Sequence, residues 1–269
     1  MRRLSQEKRA QILAMLVEGM SMRATARVAD VSFTAVARLL DLAGIACKRH
    51  HDQHVRGIKG KRQIQYDELW SFVHHKDRAK GWAKPIDKGG TVWTFTAIDA
   101  DTKLLVACMV RMRRNTRSAV VLMRDLADRL NKRPKMTADS LAAYRKAAKH
   151  VFGKRADLSQ TRKGEDTGHS TAYVERHNLT IRMGNRRYTR KTNAFSKKLS
   201  RHEAQMYLSA VYYNFCWLHG SLRVSPAMAA GVGDKLRDYG WLADLVAEVE
   251  PKPRKPGPKK GTKYRKRTR

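Results

Sequence analysis

The chain has 269 residues, with 57 Lys and Arg against 24 Asp and Glu, a formal net charge of +33. That excess excludes an acidic or charge-neutral scaffold and points to a polyanionic partner, because counterion release from phosphates rewards distributed Lys and Arg. A hydrophobic fraction of 42% is enough for packed cores and excludes wholesale disorder. No apolar run reaches the ~18 residues of a membrane span. The three cysteines form no CxxC pair, so neither a disulfide framework nor a zinc knuckle is expected. The expectation is a soluble, cytoplasmic, nucleoid-associated protein that binds DNA and no membrane.

In chain order, Ser5 opens a helix carrying Ile12, Leu13, Leu16 and Val17 at helical spacing, which Gly19 ends. A second short helix follows Ser21. Ser32 caps a third, expected to stop at Gly44. This resembles a DNA-binding helix-turn-helix over residues 1–46, with Ser32, Phe33, Thr34 and Arg38 facing DNA and Val36, Leu39 and Leu40 facing the core. An ordinary three-helix packing unit fits the same residues. Residues 47–62, rich in Lys, Arg, His and Gly, are expected to form a basic linker.

Residues 63–73 read as a strand, with Gln65, Asp67 and Leu69 on one face and Tyr66, Glu68 and Trp70 on the other. Strands at 91–100 and 104–110 complete a meander, and Asp99 and Asp101 suit its turn. Next come a helix over 115–130 with Val120, Met123, Leu126, Ala127 and Leu130 inward, a short strand at 134–138, and Asp139 followed by a helix. A short strand within 150–158, a polar loop over 159–168 and a helix from Thr171 follow. Glu175 lies on that last helix. Between Arg176 and His202 there are nine Arg or Lys and no other acid.

The order β-β-β-α-β-α-β-α, with YDELWSFV, TADSLAAY, YVERHNLTIR and NRRYTRKTNAFSKKL in sequence, resembles the insertion-sequence DDE transposases of the retroviral-integrase superfamily. Asp139 and Glu175 are separated by 35 residues, a spacing widespread in that superfamily. The chain departs from the usual pattern in having Ser140 after the second acid. The resemblance implies an α/β fold, a ribonuclease-H-like mixed sheet flanked by helices over 63–200. A helical extension would span 201–250 and a disordered, DNA-binding basic tail 251–269.

The resemblance further implies catalytic and metal-binding roles for Asp67, Asp139 and Glu175. The metals would be two Mg²⁺, replaceable by Mn²⁺, about 3.5–4 Å apart. Double-stranded DNA, both terminal repeats and target, would be the substrate of a homo-oligomer. Arg182, Arg186, Arg187 and Lys191 would contact phosphates, and His177 and Asn178 lie within a turn of Glu175. Other roles remain open for each acid: Asp67 pairing with an Arg while Glu68 is the ligand, Asp139 or Ser140 capping a helix, Glu175 pairing with Arg176 or Lys163. Arg111, Arg113, Arg114 and Arg117 form a second basic cluster or a solvated face. The competing functional readings are a helix-turn-helix regulator with an inactive ribonuclease-H-like domain, and another nuclease of that fold.

Overall fold

The computed structural model describes residues 3–76, 89–161 and 169–251. Residues 77–88 of the loop expected over 74–90, most of the polar loop before the Glu175 helix and the tail from 252 lie outside the described residues. Five strands form one mixed sheet in the order β3-β2-β1-β4-β5. Strands β1 (Gln63–Val73), β2 (Gly90–Asp99) and β3 (Leu105–Arg111) are the expected antiparallel meander. β4 (Lys135–Ala138) runs parallel to β1, and β5 (Leu158–Gln160) parallel to β4. With helices on its faces, this is the ribonuclease-H-like mixed sheet.

Unequal strand lengths set up the site. β1 has 11 residues and β4 four, and their pairing ends at Tyr66 with Ala138. Beyond Tyr66, β1 keeps β2 as a neighbour but loses β4, so one edge of Asp67–Phe72 is open. At the far turn Asp99 is buried and accepts from the Thr102 hydroxyl at 2.6 Å and from Arg62 at 3.4 Å. It serves the hairpin, as its position suggested.

Helices α4 (Thr116–Arg129) and α5 (Ala142–Phe152) cover the face that carries Tyr66, and Tyr144 of α5 lies 5.5 Å from Tyr66 between ring centroids. In α4 the buried positions include Leu122, Met123 and Leu126, with Val120, Ala127 and Leu130 at the margin of the core. α5 runs further than expected, to Phe152, because Tyr144, Ala148 and Phe152 continue its buried stripe. Gly153, at φ +77, ends it, and β5 starts only at Leu158.

The other face is packed by α6 (Ala172–Gly184) and α7 (Leu199–Val211). At the start of the expected helical extension, α7 passes at Tyr212–Cys216 into a π-helical turn. That wide turn brings Asn214 to the sheet, where its amide accepts from the Leu105 N–H and donates to the Leu105 carbonyl, both at 2.9 Å. Two short C-terminal helices, α8 (Pro226–Ala229) and α9 (Tyr239–Val249), complete the described chain.

At the N-terminus, α1 (Gln6–Val17), α2 (Met22–Val28) and α3 (Phe33–His54) start where Ser5, Ser21 and Ser32 accept backbone N–H bonds as caps. Gly44 does not stop α3. A Cβ there would sit 2.3 Å from the Ala204 Cβ of α7, so the glycine lets two helices cross in contact. The helix continues through the first half of the expected linker, burying Cys47 and His51. Its last carbonyls are satisfied by Arg129, which donates to His51 O at 3.2 Å and Val55 O at 3.1 Å. His50 and His54 stack on each other at 3.9 Å, and His51 is held by the Leu105 carbonyl at 3.1 Å. Val36, Leu39 and Leu40 are buried as expected, and all three cysteines are free. No helix among the described residues is long and apolar enough to cross a membrane.

Candidate active site

Asp67 and Glu68 occupy the first positions of β1 beyond β4, and Asp139 follows the last residue of β4. Single carboxylate oxygens of Asp67, Glu68 and Asp139 lie within 4.8 Å of one another. Asp67 and Glu68 point to opposite faces of the strand, yet both reach the open edge. All donors in this group are carboxylate oxygens, the ligands a hard divalent cation prefers. Glu175 is not a member of this group, although its charge acts on Asp67.

Asp139 is held from two sides. Its Oδ1 accepts from the Leu141 N–H at 3.0 Å, and Gln160 of β5 donates to the Asp139 and Leu141 carbonyls at 2.9 and 3.1 Å. Neither Asp139 nor Ser140 caps α5, whose N-cap position is Leu141 without a side-chain bond.

Two polar residues fasten α6, and with it Glu175, to β1. Buried Gln65 accepts through Oε1 from the N–H groups of Tyr173 and Val174, both at 3.0 Å, and so caps α6 together with the Ser170 hydroxyl, which accepts from the Ala172 N–H at 3.0 Å. One turn on, Asn178 donates to Asp67 Oδ2 at 2.7 Å while its Oδ1 accepts from Thr96 at 3.1 Å. Between these two anchors Glu175 stands exposed on the first turn of α6, its Oε1 accepting from the Thr171 hydroxyl at 2.7 Å. A carboxylate in a first turn is favoured by the helix dipole.

Arg114 sits among the acids. Its Nη2 lies 3.0 Å from Glu68 Oε2 and 2.8 Å from Asp139 Oδ2, and its guanidinium lies 5.1 Å from the Trp93 ring centre. Burial pushes the Glu68 carboxyl up to about 7, with Arg114 pulling the other way. Burial also raises Asp67. The Asn178 bond opposes this, and the charges of Asp139 and Glu175 add to it. Converging acids that raise one another are better neutralised by a cation than left alone.

The remaining expected site residues divide. Ser32, Phe33, Thr34 and Arg38 form an exposed patch at the start of α3, with the Ser32 hydroxyl also serving as cap. Arg186 and Lys191 are exposed and border a groove with Phe72 and Phe195. Arg182 and Arg187, expected on phosphates, are half-buried and use part of their donors within the fold. Arg182 donates to the carbonyls of Tyr188 at 3.0 Å and Trp70 at 3.5 Å. Arg187 donates to the Ser196 hydroxyl at 3.2 Å and reaches Met22 Sδ, and burial pulls its pKa down to about 10. His177 is buried against the Tyr213 ring at 4.3 Å and does not face the acids.

Sequence reasoning passed over Gln65 and Arg114 as site residues. Gln65 shares the alternation of Asp67, which is a usable signal. Nothing local distinguishes Arg114 from its basic neighbours.

No protein-family model matches the chain, and no curated protein does. Among solved structures it is similar to the Mos1 strand transfer complex, at 14% identity over 77% of this chain and 78% of that one, with a TM-score of 0.29. It is also similar to the simian T-cell lymphotropic virus intasome in complex with PP2A regulatory subunit B56 gamma, at 12% identity over 91% and 77%, TM-score 0.36. A third is the Mos1 transposase paired-end complex with left transposon end, at 12% identity over 88% and 82%, TM-score 0.27.

Proposed function

We propose that the chain is a DNA transposase that cuts transposon ends by metal-dependent phosphodiester hydrolysis and joins the freed 3′-OH to target DNA. The observation that carries this reading is the convergence of Asp67 and Asp139 on the open edge of β1, with Glu175 pinned beside them through Gln65 and Asn178. A binding protein with a net charge of +33 gains nothing from gathering its few acids in one place.

Asp67, Asp139 and Glu175 would hold Mg²⁺ or Mn²⁺, and the all-carboxylate donor set fits those ions. Such ions supply Lewis acidity toward a phosphate and its attacking and leaving oxygens. The chain's own residues do the positioning. Asn178 fixes the rotamer of Asp67, Gln160 and the Leu141 N–H fix Asp139, and the Thr171 hydroxyl fixes Glu175. Water attacks the end phosphodiester and releases a 3′-OH, which then attacks a target phosphodiester in a second in-line displacement. The exposed patch of Ser32, Phe33, Thr34 and Arg38 would read duplex DNA at the transposon end, and Arg186 and Lys191 would bind its phosphates. Assembly across two ends would require more than one copy.

One observation favours a second reading. Arg114 already neutralises Glu68 and Asp139, as it would in a DNA-binding regulator whose site takes no metal. Strand cleavage decides between them. A labelled duplex carrying the terminal repeat is incubated with Mg²⁺ or Mn²⁺ and either wild type or Asp139→Asn. Cleavage by wild type, with binding but no cleavage by the variant, supports the transposase. Equal binding and no cleavage by either protein supports the regulator.

A further inference from the structure

The face of β1 beyond Glu68 carries a row of aromatic rings. Alternation places Trp70 and Phe72 on the same face as Glu68, two and four residues further along. The Trp70 and Phe72 ring centres are 6.0 Å apart, and Phe195 continues the row 4.8 Å from Phe72. Phe195 is brought there by the adjacent Ser196, which bridges to Val73 at the end of β1. All three rings are half-buried, so each leaves part of its face or edge to solvent.

Cations flank the row. Lys76 Nζ lies 5.4 Å from the Phe72 ring centre and Lys197 Nζ 3.5 Å from that of Phe195. Arg186 and Lys191 line the same groove, a cavity of about 550 Å³. Among the described residues that line it, none is acidic.

Phosphates by themselves would call for the cations and not the rings. A duplex keeps its base faces inside its own stack and offers only edges and backbone. An unpaired strand offers bare base faces at a spacing an aromatic row can meet, with phosphates alongside. The row also begins beside Glu68, at the acid cluster, on the part of β1 that β4 leaves open.

We propose that Trp70, Phe72 and Phe195 form a track for an unpaired DNA strand running from the acid cluster toward Lys76, Arg186 and Lys191. The strand's origin at the cleavage point rests on the transposase reading. The binding itself does not.

The test is fluorescence anisotropy with the full chain in EDTA, where no cleavage occurs. A 12-nucleotide oligothymidine is compared with an abasic strand of the same length. Base-containing strand is expected to bind roughly tenfold tighter. The combined substitutions Trp70→Leu, Phe72→Leu and Phe195→Leu, which keep apolar bulk and remove all three rings, should abolish that preference, and Phe72→Tyr with Phe195→Tyr should keep it. Thermal melts establish that each variant is folded. Should the leucine variant not fold, the abasic comparison on wild type still decides. Equal affinity for the two strands, or a folded leucine variant that keeps the preference, overturns the track. Base-dependent binding by a protein that cleaves no duplex overturns the transposase reading alone. Cleavage by a protein whose strand binding ignores the bases overturns the track alone.

Discussion

Asn178 Nδ2 donates to Asp67 Oδ2 at 2.7 Å, joining α6 to a strand residue 111 positions earlier in the chain. The bond fixes the rotamer of Asp67 and the seating of the helix that carries Glu175. Asn178→Ala leaves half-buried Asp67 Oδ2 without its donor, while the Thr96 hydroxyl keeps only the Asp67 carbonyl at 3.2 Å. We expect a loss of about 1–3 kcal/mol in urea unfolding, together with a fall in end cleavage of about tenfold or more at saturating DNA. Cleavage at the wild-type rate would show that Asp67 needs no such anchor.

Gln65 caps the Tyr173 and Val174 N–H groups of α6 from a neighbouring element. Gln65→Leu should destabilise the fold by about 0.5–2 kcal/mol and accelerate amide exchange at Tyr173 and Val174 before exchange elsewhere in α6. Gln65→Glu keeps an acceptor oxygen and adds a charge the helix dipole favours, so exchange there should stay near wild type. Uniform exchange changes along α6 in the leucine variant would argue against a local cap.

Arg114 competes for the carboxylates a metal would use. In Arg114→Gln the cluster loses a positive charge 2.8–3.0 Å from two acids. Divalent-ion affinity should rise by about five- to tenfold, read by Mn²⁺ titration with the Asp139→Asn variant as control. An unchanged midpoint would place the metal away from Asp139.

His202 links Ser71 Oγ through Nε2 and Ser196 Oγ through Nδ1, both at 2.9 Å, and burial pulls its pKa down to about 3. A histidine whose charged form is disfavoured in the fold binds fewer protons folded than unfolded below about pH 6.5. Its stabilisation is therefore full above pH 6.5 and is lost progressively as pH falls toward 3. His202→Gln should be less stable than wild type at pH 8 and show a shallower loss between pH 6.5 and 4 in parallel urea titrations. Parallel curves for the two proteins would mean that His202 is not held neutral.

Gly44 and Ala204 test the helix crossing. Gly44→Ala gains about 1 kcal/mol in helix propensity but forces a methyl to 2.3 Å from the Ala204 Cβ. Overpacking should dominate, for a net loss of about 1–3 kcal/mol in thermal or urea unfolding. Adding Ala204→Gly should recover little of it, because the Ala204 Cα, 2.6 Å from the new methyl, stays in the way. A Gly44→Ala variant as stable as wild type would mean the two helices do not cross there.

Much of the fold was legible in the residues alone because its signals are local. Alternation marked β1 to its exact ends, β-branched and aromatic runs marked β2 and β3, and serine caps marked the first three helices. The positions of Asp67 within β1 and of Asp139 just after β4 were legible from the strand patterns, while the roles given to them came from the resemblance. The extent of α3 was not, since a glycine that stops a helix and one that admits a neighbouring helix look alike until Ala204 is in place. Arg182 and Arg187 read as surface cations because their inward acceptors, Trp70, Tyr188, Ser196 and Met22, come from other parts of the chain.

The sequence by itself determined the element order, the basic character and the acids worth watching, all of which depend on side chains within a few residues of one another. Only the tertiary structure decided which charges meet. It put Arg114 between Glu68 and Asp139, gave α6 its cap from Gln65, and left β1 longer than β4 so that one edge stays open. These outcomes depend on strand register and helix docking, which join residues far apart in the chain. Hydrogen-bond geometry and burial select such partners, and no local pattern encodes them.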